Sequence, residues 1–222
     1  GAILHPSLRR HLMQLAHPDK SRQNASNADP TEIHNSPSEI GYNHIRTQSD
    51  LLIEAETGAV LFESSADLQR SPASTQKLLL QLVVMDAVAE GRYSLHDSVY
   101  TSAWASRMGG SQVYLKQGEV FTLGQLMEAI TIASANDACV AVAEHVGGSV
   151  DGFVHMMNER AHALGLQNTM CVNVHGLDDT PGDDRNLTTA SDLSRVALAL
   201  LPHHPILKWS AVRYKPFRQG EF

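Results

Sequence analysis

The chain has 222 residues, 42% of them hydrophobic, and a formal net charge of −7. This length allows one globular domain with a real core, and the acidic balance leaves no basic stripe for phosphates, so we expect no nucleic-acid partner. No run approaches the roughly 18 consecutive apolar residues of a membrane span, and no secretory signal is visible at the start. Because aromatic residues make up only 5%, we expect a core of aliphatic side chains and methionine.

The first 48 residues differ in composition from the rest of the chain. The stretch 21–38 is rich in Ser, Asn, Asp and Pro, which bury little surface and favour mobile segments. We therefore interpret residues 1–48 as a disordered tail or a non-native junction, and we assign the folded domain to residues 49–222.

Patterns typical of secondary structure begin at Asp50. Apolar residues at 51–53 and 60–62 predict two strands joined by a turn at 56–58. A run that is apolar on nearly every side, 78–88, predicts a buried helix, with Ser71 as its N-cap and Pro72 as its first residue. Further elements are predicted in chain order: helices at 123–132, 137–146, 152–164 and 189–201, then a strand at 211–217. Helices in the middle and strands near both ends indicate the α+β class.

Ser74 and Lys77 form the first candidate site, at the start of the predicted buried helix. Residues three apart share a helix face, so the lysine amine can take the serine proton if burial lowers its pKa. The helix N-terminus also favours a developing oxyanion. A chance Ser-x-x-Lys on the surface is the alternative, although a buried lysine is rare unless it is paired.

Ser134 and Asn136 form the second candidate site, in the break at 133–136 between two predicted helices. A serine hydroxyl at this point can relay a proton, and the asparagine amide can hold a peptide group of a substrate. A simpler interpretation is that Ser134 caps the helix that follows.

Seven short stretches, in order over some 170 residues, resemble the low-molecular-mass penicillin-binding proteins, the D-alanyl-D-alanine carboxypeptidase family. These stretches are 57–61 (TGAVL), 72–77 (PASTQK), 115–119 (LKQGE), 134–139 (SANDAC), 163–166 (ALGL), 175–178 (HGLD) and 188–193 (TTASDL). The resemblance implies a β-lactamase or penicillin-binding-protein-like transpeptidase fold, with a helical cluster and an antiparallel sheet.

The resemblance also implies the roles of the four candidate residues. Ser74 would be the acylated nucleophile and Lys77 its general base, while Ser134 and Asn136 would line the site. The family removes the terminal D-alanine of peptidoglycan stem peptides and is acylated by β-lactams. It acts outside the cytoplasm, on the cell-wall side of the bacterial inner membrane.

The sequence departs from the family in its third motif, Lys-Thr-Gly on a strand beside the site. The only Thr-Gly of that kind, Thr57-Gly58, lies in the early predicted turn. We therefore expect 49–222 to be the N-terminal part of the catalytic domain, with an incomplete sheet and without the family's membrane anchor. We also expect partial cover of the helix at 78–88, and hence a loosely folded or aggregation-prone chain.

No metal or other cofactor is expected. The 12 histidines include no His-Glu-x-x-His spacing, and the two cysteines form no Cys-x-x-Cys motif. We interpret His203 and His204 as a solvated loop pair, His175 as a residue that holds a loop, and Asp183-Asp184 as a solvated turn.

Two other functions remain open at this level. A serine β-lactamase would share Ser-x-x-Lys and Ser-x-Asn, but the loop at 183–189 has no glutamate to activate a deacylating water. A truncated homologue that binds peptidoglycan or a protein partner without turnover would fit the missing third motif.

Overall fold

The computed structural model describes residues 48–178 and 185–218, all within the unit Thr47–Phe222. The predicted tail at 1–48 lies outside the described residues except for Gln48, and so does the predicted turn at Asp183-Asp184.

The described region is an α+β structure dominated by helices. Its strands are β1 (Asp50–Ile53), β2 (Val60–Ser64), β3 (Ser98–Tyr100) and β4 (Val120–Thr122); its α-helices are α1 (Lys77–Ala89), α2 (Leu123–Ala133), α3 (Asn136–Gly147), α4 (Val150–Ala163), α5 (Ala190–Leu200) and α6 (His204–Ser210). Short 3₁₀ helices cover Ala73–Gln76 and Ala105–Arg107. Five of these α-helices were predicted from the sequence, with bounds that differ by two residues at most.

Helix α1 lies at the centre of the core, as its all-apolar pattern predicts. Helices α3, α4 and α5 pack against it. Its apolar residues from Leu79 to Ala87 are at most 5% exposed, so the predicted partial cover of this helix is wrong. The core is aliphatic as expected, with Phe153 as its largest fully buried side chain.

The strands form two separate two-stranded antiparallel sheets, β1–β2 and β3–β4. Both lie in the first part of the described region, so the expectation of strands near both ends is wrong. The β1–β2 turn is where the sequence predicted it, and Glu54 organises it by accepting hydrogen bonds from the backbone N–H groups of Glu56 and Thr57. The hydroxyl of Thr57 also donates to this carboxylate and is the main reason its pKa is lowered.

The predicted cap of the buried helix is also corrected. The 3₁₀ helix Ala73–Gln76 precedes α1, and its N-cap is Pro72, which makes no side-chain cap. In contrast, α2 begins with a capping box between Thr122 and Gln125, a Thr-x-x-Gln pattern that sequence reasoning missed.

The segment after α5 differs most from the prediction. Residues 211–217 form no strand; side chains anchor this segment instead, through an ion pair of Lys215 with Glu128 and ring packing of Phe217 on Phe121. His203 is not a solvated loop residue, because its side chain is 15% exposed and its Nε2 lies 3.2 Å from Oδ1 of Asp86.

Exposed apolar surface is concentrated on the β1–β2 hairpin rather than on α1. Leu52 and Phe62 are cross-strand partners, and they are 50% and 58% exposed. Val60, on the same strand face as Phe62, is 54% exposed. We call these three residues the hairpin patch. Across the described residues, no helix is long and apolar enough to span a bilayer.

We predict that the hairpin patch drives self-association of the chain. The double substitution Leu52→Thr and Phe62→Thr keeps strand propensity but removes most of the apolar area. Light scattering should show less association, while the unfolding free energy changes by no more than about 0.5 kcal/mol per site, as is usual for exposed positions. Tyr214→Thr is the control, because Tyr214 is 82% exposed and lies outside the hairpin. A wild-type chain that stays monomeric at high concentration would contradict this prediction.

Candidate active site

Ser74 and Lys77 lie where the 3₁₀ helix Ala73–Gln76 passes into α1. Lys77 Nζ donates a hydrogen bond of 3.0 Å to Ser74 Oγ. Ser74 is exposed, whereas Lys77 is only 2% exposed. The pair thus combines an accessible hydroxyl with a buried amine, so the chance surface pair considered above does not describe it.

The hydroxyl group of Ser134 contacts the same Lys77 amine. Lys77 Nζ donates a second hydrogen bond of 3.0 Å to Ser134 Oγ. Ser134 is the C-cap of α2 and has a left-handed backbone, with φ of 55°. The simpler interpretation of Ser134 as the cap of the next helix is wrong, because the N-cap of α3 is Ala135 and no side chain caps it.

Burial is the main influence on the Lys77 amine. It lowers the pKa of Lys77 from its ordinary value of 10.5, because a charged amine loses hydration in the core. A Cys139 thiolate would oppose this, but burial raises the pKa of Cys139 to about 12, so this cysteine stays a neutral thiol near neutral pH. Burial therefore shifts the equilibrium toward the neutral amine, which is the form that can accept a proton.

Asn136 is held by the segment before β4. Its backbone N–H donates to Ser111 O at 2.7 Å, and its Nδ2 donates to Gly109 O at 2.8 Å. The side-chain Oδ1 is buried without a hydrogen-bond partner in the described region. An unsatisfied buried acceptor is costly, so Oδ1 is a suitable partner for an N–H of a bound ligand.

Asp137, the next residue, was not identified from the sequence. It is 1% exposed, and its carboxylate accepts backbone hydrogen bonds from Val113 at 3.2 Å, Leu115 at 2.9 Å and Ala138 at 2.9 Å. It thereby joins the start of α3 to the segment that holds Asn136. The available clue was an acidic residue at the start of the apolar run that predicted this helix.

The turn at 173–177 lies beside the same centre. His175 is buried, and its Nδ1 accepts the N–H of Leu177 at 3.3 Å, which agrees with its interpretation as a loop-holding residue. The structure therefore brings all four predicted site residues, Ser74, Lys77, Ser134 and Asn136, to the meeting point of α1 with the α2–α3 break.

The chain is similar in sequence to known proteins. The family model described as D-alanyl-D-alanine carboxypeptidase matches residues 33–219. The chain is 39% identical over 163 residues to the D-alanyl-D-alanine carboxypeptidase DacF of Bacillus subtilis. The aligned region covers 73% of this chain and 41% of DacF. This chain is also 37% identical over 188 residues to the D-alanyl-D-alanine carboxypeptidase DacA of Escherichia coli K12, and the aligned region covers 82% of this chain and 44% of DacA.

A solved structure supports the same relationship. The D-alanyl-D-alanine carboxypeptidase DacD from Francisella tularensis superposes with a TM-score of 0.70 at 29% identity, over 82% of this chain and 43% of that one. The predicted α+β, transpeptidase-like fold is therefore confirmed. The chain spans less than half the length of each of these relatives.

We predict that the Lys77 amine loses its proton below its ordinary pKa of 10.5, because burial disfavours the ammonium. The neutral fraction should therefore appear at lower pH than for an unburied lysine. NMR of the chain labelled with ¹³C at lysine Cε gives the titration, and the resonance lost in Lys77→Arg identifies the residue. Titration of that resonance at or above 10.5 would contradict burial as the main influence on this amine.

Proposed function

Because the chain belongs to the D-alanyl-D-alanine carboxypeptidase family, we propose that it contributes the acylation centre of a serine-type D-alanyl-D-alanine carboxypeptidase. In this proposal the described residues belong to the catalytic domain, with Ser74 as nucleophile and Lys77 as general base. Ser134 relays a proton, and Asn136 binds the substrate.

One observation carries this proposal. The buried Lys77 amine lies 3.0 Å from the hydroxyl oxygens of both Ser74 and Ser134. One base in contact with two hydroxyls can remove a proton from the first and deliver it through the second. Proton transfer of this kind, between groups within hydrogen-bond distance, contributes about 10²–10⁴-fold to rates.

The proposed acylation step starts with neutral Lys77. Its Nζ takes the proton of Ser74 while Oγ forms a bond to the carbonyl carbon of the penultimate D-alanine. The tetrahedral oxyanion then collapses, and the C–N bond to the terminal D-alanine breaks. The leaving amine takes its proton from the Ser134 hydroxyl, which is reprotonated by Lys77, so the base is neutral again.

Deacylation uses the same groups in reverse. A water molecule gives a proton to Lys77 while its oxygen attacks the carbonyl carbon of the Ser74 ester. The tetrahedral oxyanion collapses, the bond from that carbon to Ser74 Oγ breaks, and Oγ takes the proton back from Lys77, so the shortened peptide is released and both side chains are restored. Asn136 positions the substrate in both steps, since its Oδ1, which has no partner among the described residues, can accept a backbone N–H of the stem peptide.

The proposed substrate is a peptidoglycan stem peptide ending in D-alanyl-D-alanine, and β-lactams are the proposed inhibitors because they acylate the same serine. Such a substrate places the site of action outside the cytoplasm, on the cell-wall side of the bacterial inner membrane. The names of the relatives, D-alanyl-D-alanine carboxypeptidases, support this substrate class.

We predict that a labelled penicillin modifies Ser74 alone. Incubation, digestion and mass spectrometry should locate the label on the peptide that contains Ser74, and Ser74→Ala should remove it. A label on another serine, or undiminished labelling of the variant, would reject Ser74 as the nucleophile.

Two further measurements on the same samples separate the other functions. Release of D-alanine from a D-Ala-D-Ala peptide supports the carboxypeptidase, whereas binding without release supports a homologue that does not turn over. Rapid loss of the penicillin label with catalytic release of hydrolysed penicillin supports a β-lactamase.

We predict that Lys77→Arg abolishes acylation although the positive charge is kept. Arginine stays protonated in proteins, so it cannot take the Ser74 proton. The rate of penicillin labelling measures the effect, with Lys208→Arg as a control at an exposed lysine in α6. A Lys77→Arg variant within about tenfold of wild type would show that Lys77 is not the base.

A further inference from the structure

The backbone of Gly176 is in close contact with the residue before the proposed nucleophile. A Cβ atom added to Gly176 would lie 1.9 Å from the carbonyl oxygen of Ala73 and 2.6 Å from its carbonyl carbon. Real Cβ atoms essentially never approach other atoms within 3.0 Å. Since the clashing atoms belong to the backbone, a side chain at Gly176 could be admitted only by moving one of the two segments.

Ala73 itself has an unfavourable backbone conformation. Its φ is 47°, in the left-handed region that residues with a Cβ rarely adopt. Such conformations persist where the surrounding structure enforces them, and they are concentrated at functional sites. The peptide that joins Ala73 to Ser74 sets the position of Ser74 relative to Lys77, so whatever holds Ala73 also positions the nucleophile.

The turn at 173–177 is rigid enough to hold it. Asn173 Oδ1 accepts the N–H of Gly176 at 2.8 Å, and Asn173 Nδ2 donates to Leu177 O at 2.7 Å. Asn186, which is fully buried, supports both ends by donating to Leu177 O at 3.2 Å and accepting the N–H of Val172 at 3.0 Å. The turn is thus braced by two asparagine side chains rather than by helix or sheet.

A second contact ties this turn to the nucleophile segment. The Nε2 of Gln76 donates a hydrogen bond to the backbone carbonyl of Asn173. Gln76 is 3% exposed and lies between Ser74 and Lys77 in sequence. The turn therefore contacts the 3₁₀ helix Ala73–Gln76 on both sides of Ser74, once through the backbone of Ala73 and once through the side chain of Gln76.

We propose that Gly176 is a positioning residue for the acylation reaction. Because Gly176 lacks a Cβ, the turn at 173–177 can pack directly on the Ala73 carbonyl. This contact keeps Ser74 within hydrogen-bond distance of the Lys77 amine. This inference rests on the proposed function for its effect on rate, but the contact can be tested without any catalytic turnover.

The test compares alanine substitutions at two glycines that both have a positive φ. Gly176→Ala introduces both the clash and an alanine at φ of 85°, whereas Gly148→Ala introduces an alanine at φ of 72° with no atom within 4 Å of the new Cβ. Gly148 follows α3 at its far end, away from Asn136. The difference between the two variants therefore reports the contacts of the added Cβ, which are chiefly with Ala73 and, at 3.2 Å, with the Cβ of Gln76.

Two measurements are made on each purified variant. Acylation by labelled penicillin should be about 10²-fold slower in Gly176→Ala than in Gly148→Ala, since a displacement of about 1 Å at a reacting group costs that much. The ¹³C titration of Lys77 should move toward the ordinary lysine pKa in Gly176→Ala alone, because displacement of the 3₁₀ helix admits water to the amine. Thermal unfolding of both variants controls for stability.

A compensating substitution supplies the rescue. Ala73→Gly lets the peptide between residues 73 and 74 turn away from the new Cβ. The double variant Ala73→Gly with Gly176→Ala should therefore be acylated at least about tenfold faster than Gly176→Ala alone. If Gly176→Ala does not fold, the variant Gln76→Leu tests the positioning role in its place. Leucine fills a similar buried volume but cannot donate the hydrogen bond to the Asn173 carbonyl. Gln76→Leu should lower the acylation rate without a matching loss of unfolding temperature.

The outcomes separate this inference from the proposed function. A wild-type chain that penicillin does not label at Ser74 rejects the proposed function, and the Lys77 titrations still decide the role of Gly176. If Gly176→Ala matches Gly148→Ala in acylation rate and in Lys77 titration, the positioning role is overturned. It is likewise overturned if Gly176→Ala does not fold and Gln76→Leu keeps the wild-type acylation rate.

Discussion

The Lys77 amine is the group on which the arrangement of the site depends. An isolated ammonium in the core would carry a large desolvation cost, which is relieved by hydrogen bonds or by loss of the proton. Here two hydroxyl oxygens, those of Ser74 and Ser134, lie 3.0 Å from Nζ and no carboxylate pairs with the amine in the described region. Burial lowers the pKa of the amine, and the two hydroxyl groups keep it hydrogen-bonded, which suits the proposed exchange of a proton.

The burial of Lys77 comes from helix packing. Helices α3, α4 and α5 cover α1, so the first residue of α1 enters the core with the apolar residues that follow it. In the 3₁₀ helix before α1, Ala73, Ser74 and Thr75 are exposed and Gln76 is buried, which leaves Ser74 accessible. The chain thus passes from the surface into the core between Ser74 and Lys77, which separates the exposed hydroxyl from the buried amine.

Left-handed backbone conformations are concentrated around this centre. Ala73 and Ser134 are two of the four non-glycine residues with positive φ in the described chain, and Gly110 and Gly176 add left-handed turns beside them. The site is also stabilised by buried polar side chains that hold backbone atoms, notably Asp137 and Asn173. The proposed site is therefore built from irregular segments fixed on a helical core, a common division of roles in enzymes.

Local patterns were sufficient to predict much of the fold and the four site residues. The apolar run at 78–88 indicated a buried helix because only burial explains a helix that is apolar on every side. Ser74, Lys77, Ser134 and Asn136 were identifiable because their spacing places reactive groups at helix ends, and because the resemblance to a family covers those positions. The aliphatic core and the hairpin turn at 56–58 also follow from composition and local pattern.

Other features depend on contacts between residues distant in sequence, which no local pattern contains. The hydrogen bond of Ser134 to Lys77 joins residues 57 positions apart, and the contact of Gly176 with Ala73 joins two turns whose approach is set by packing around α1. The same limit explains the errors: 211–217 is held by Lys215 and Phe217 rather than by strand pairing, and His203 contacts Asp86 across 117 positions. The sequence by itself determined which residues are candidates for the chemistry, and the tertiary structure decided their distances, because side-chain positions follow from how the helices pack.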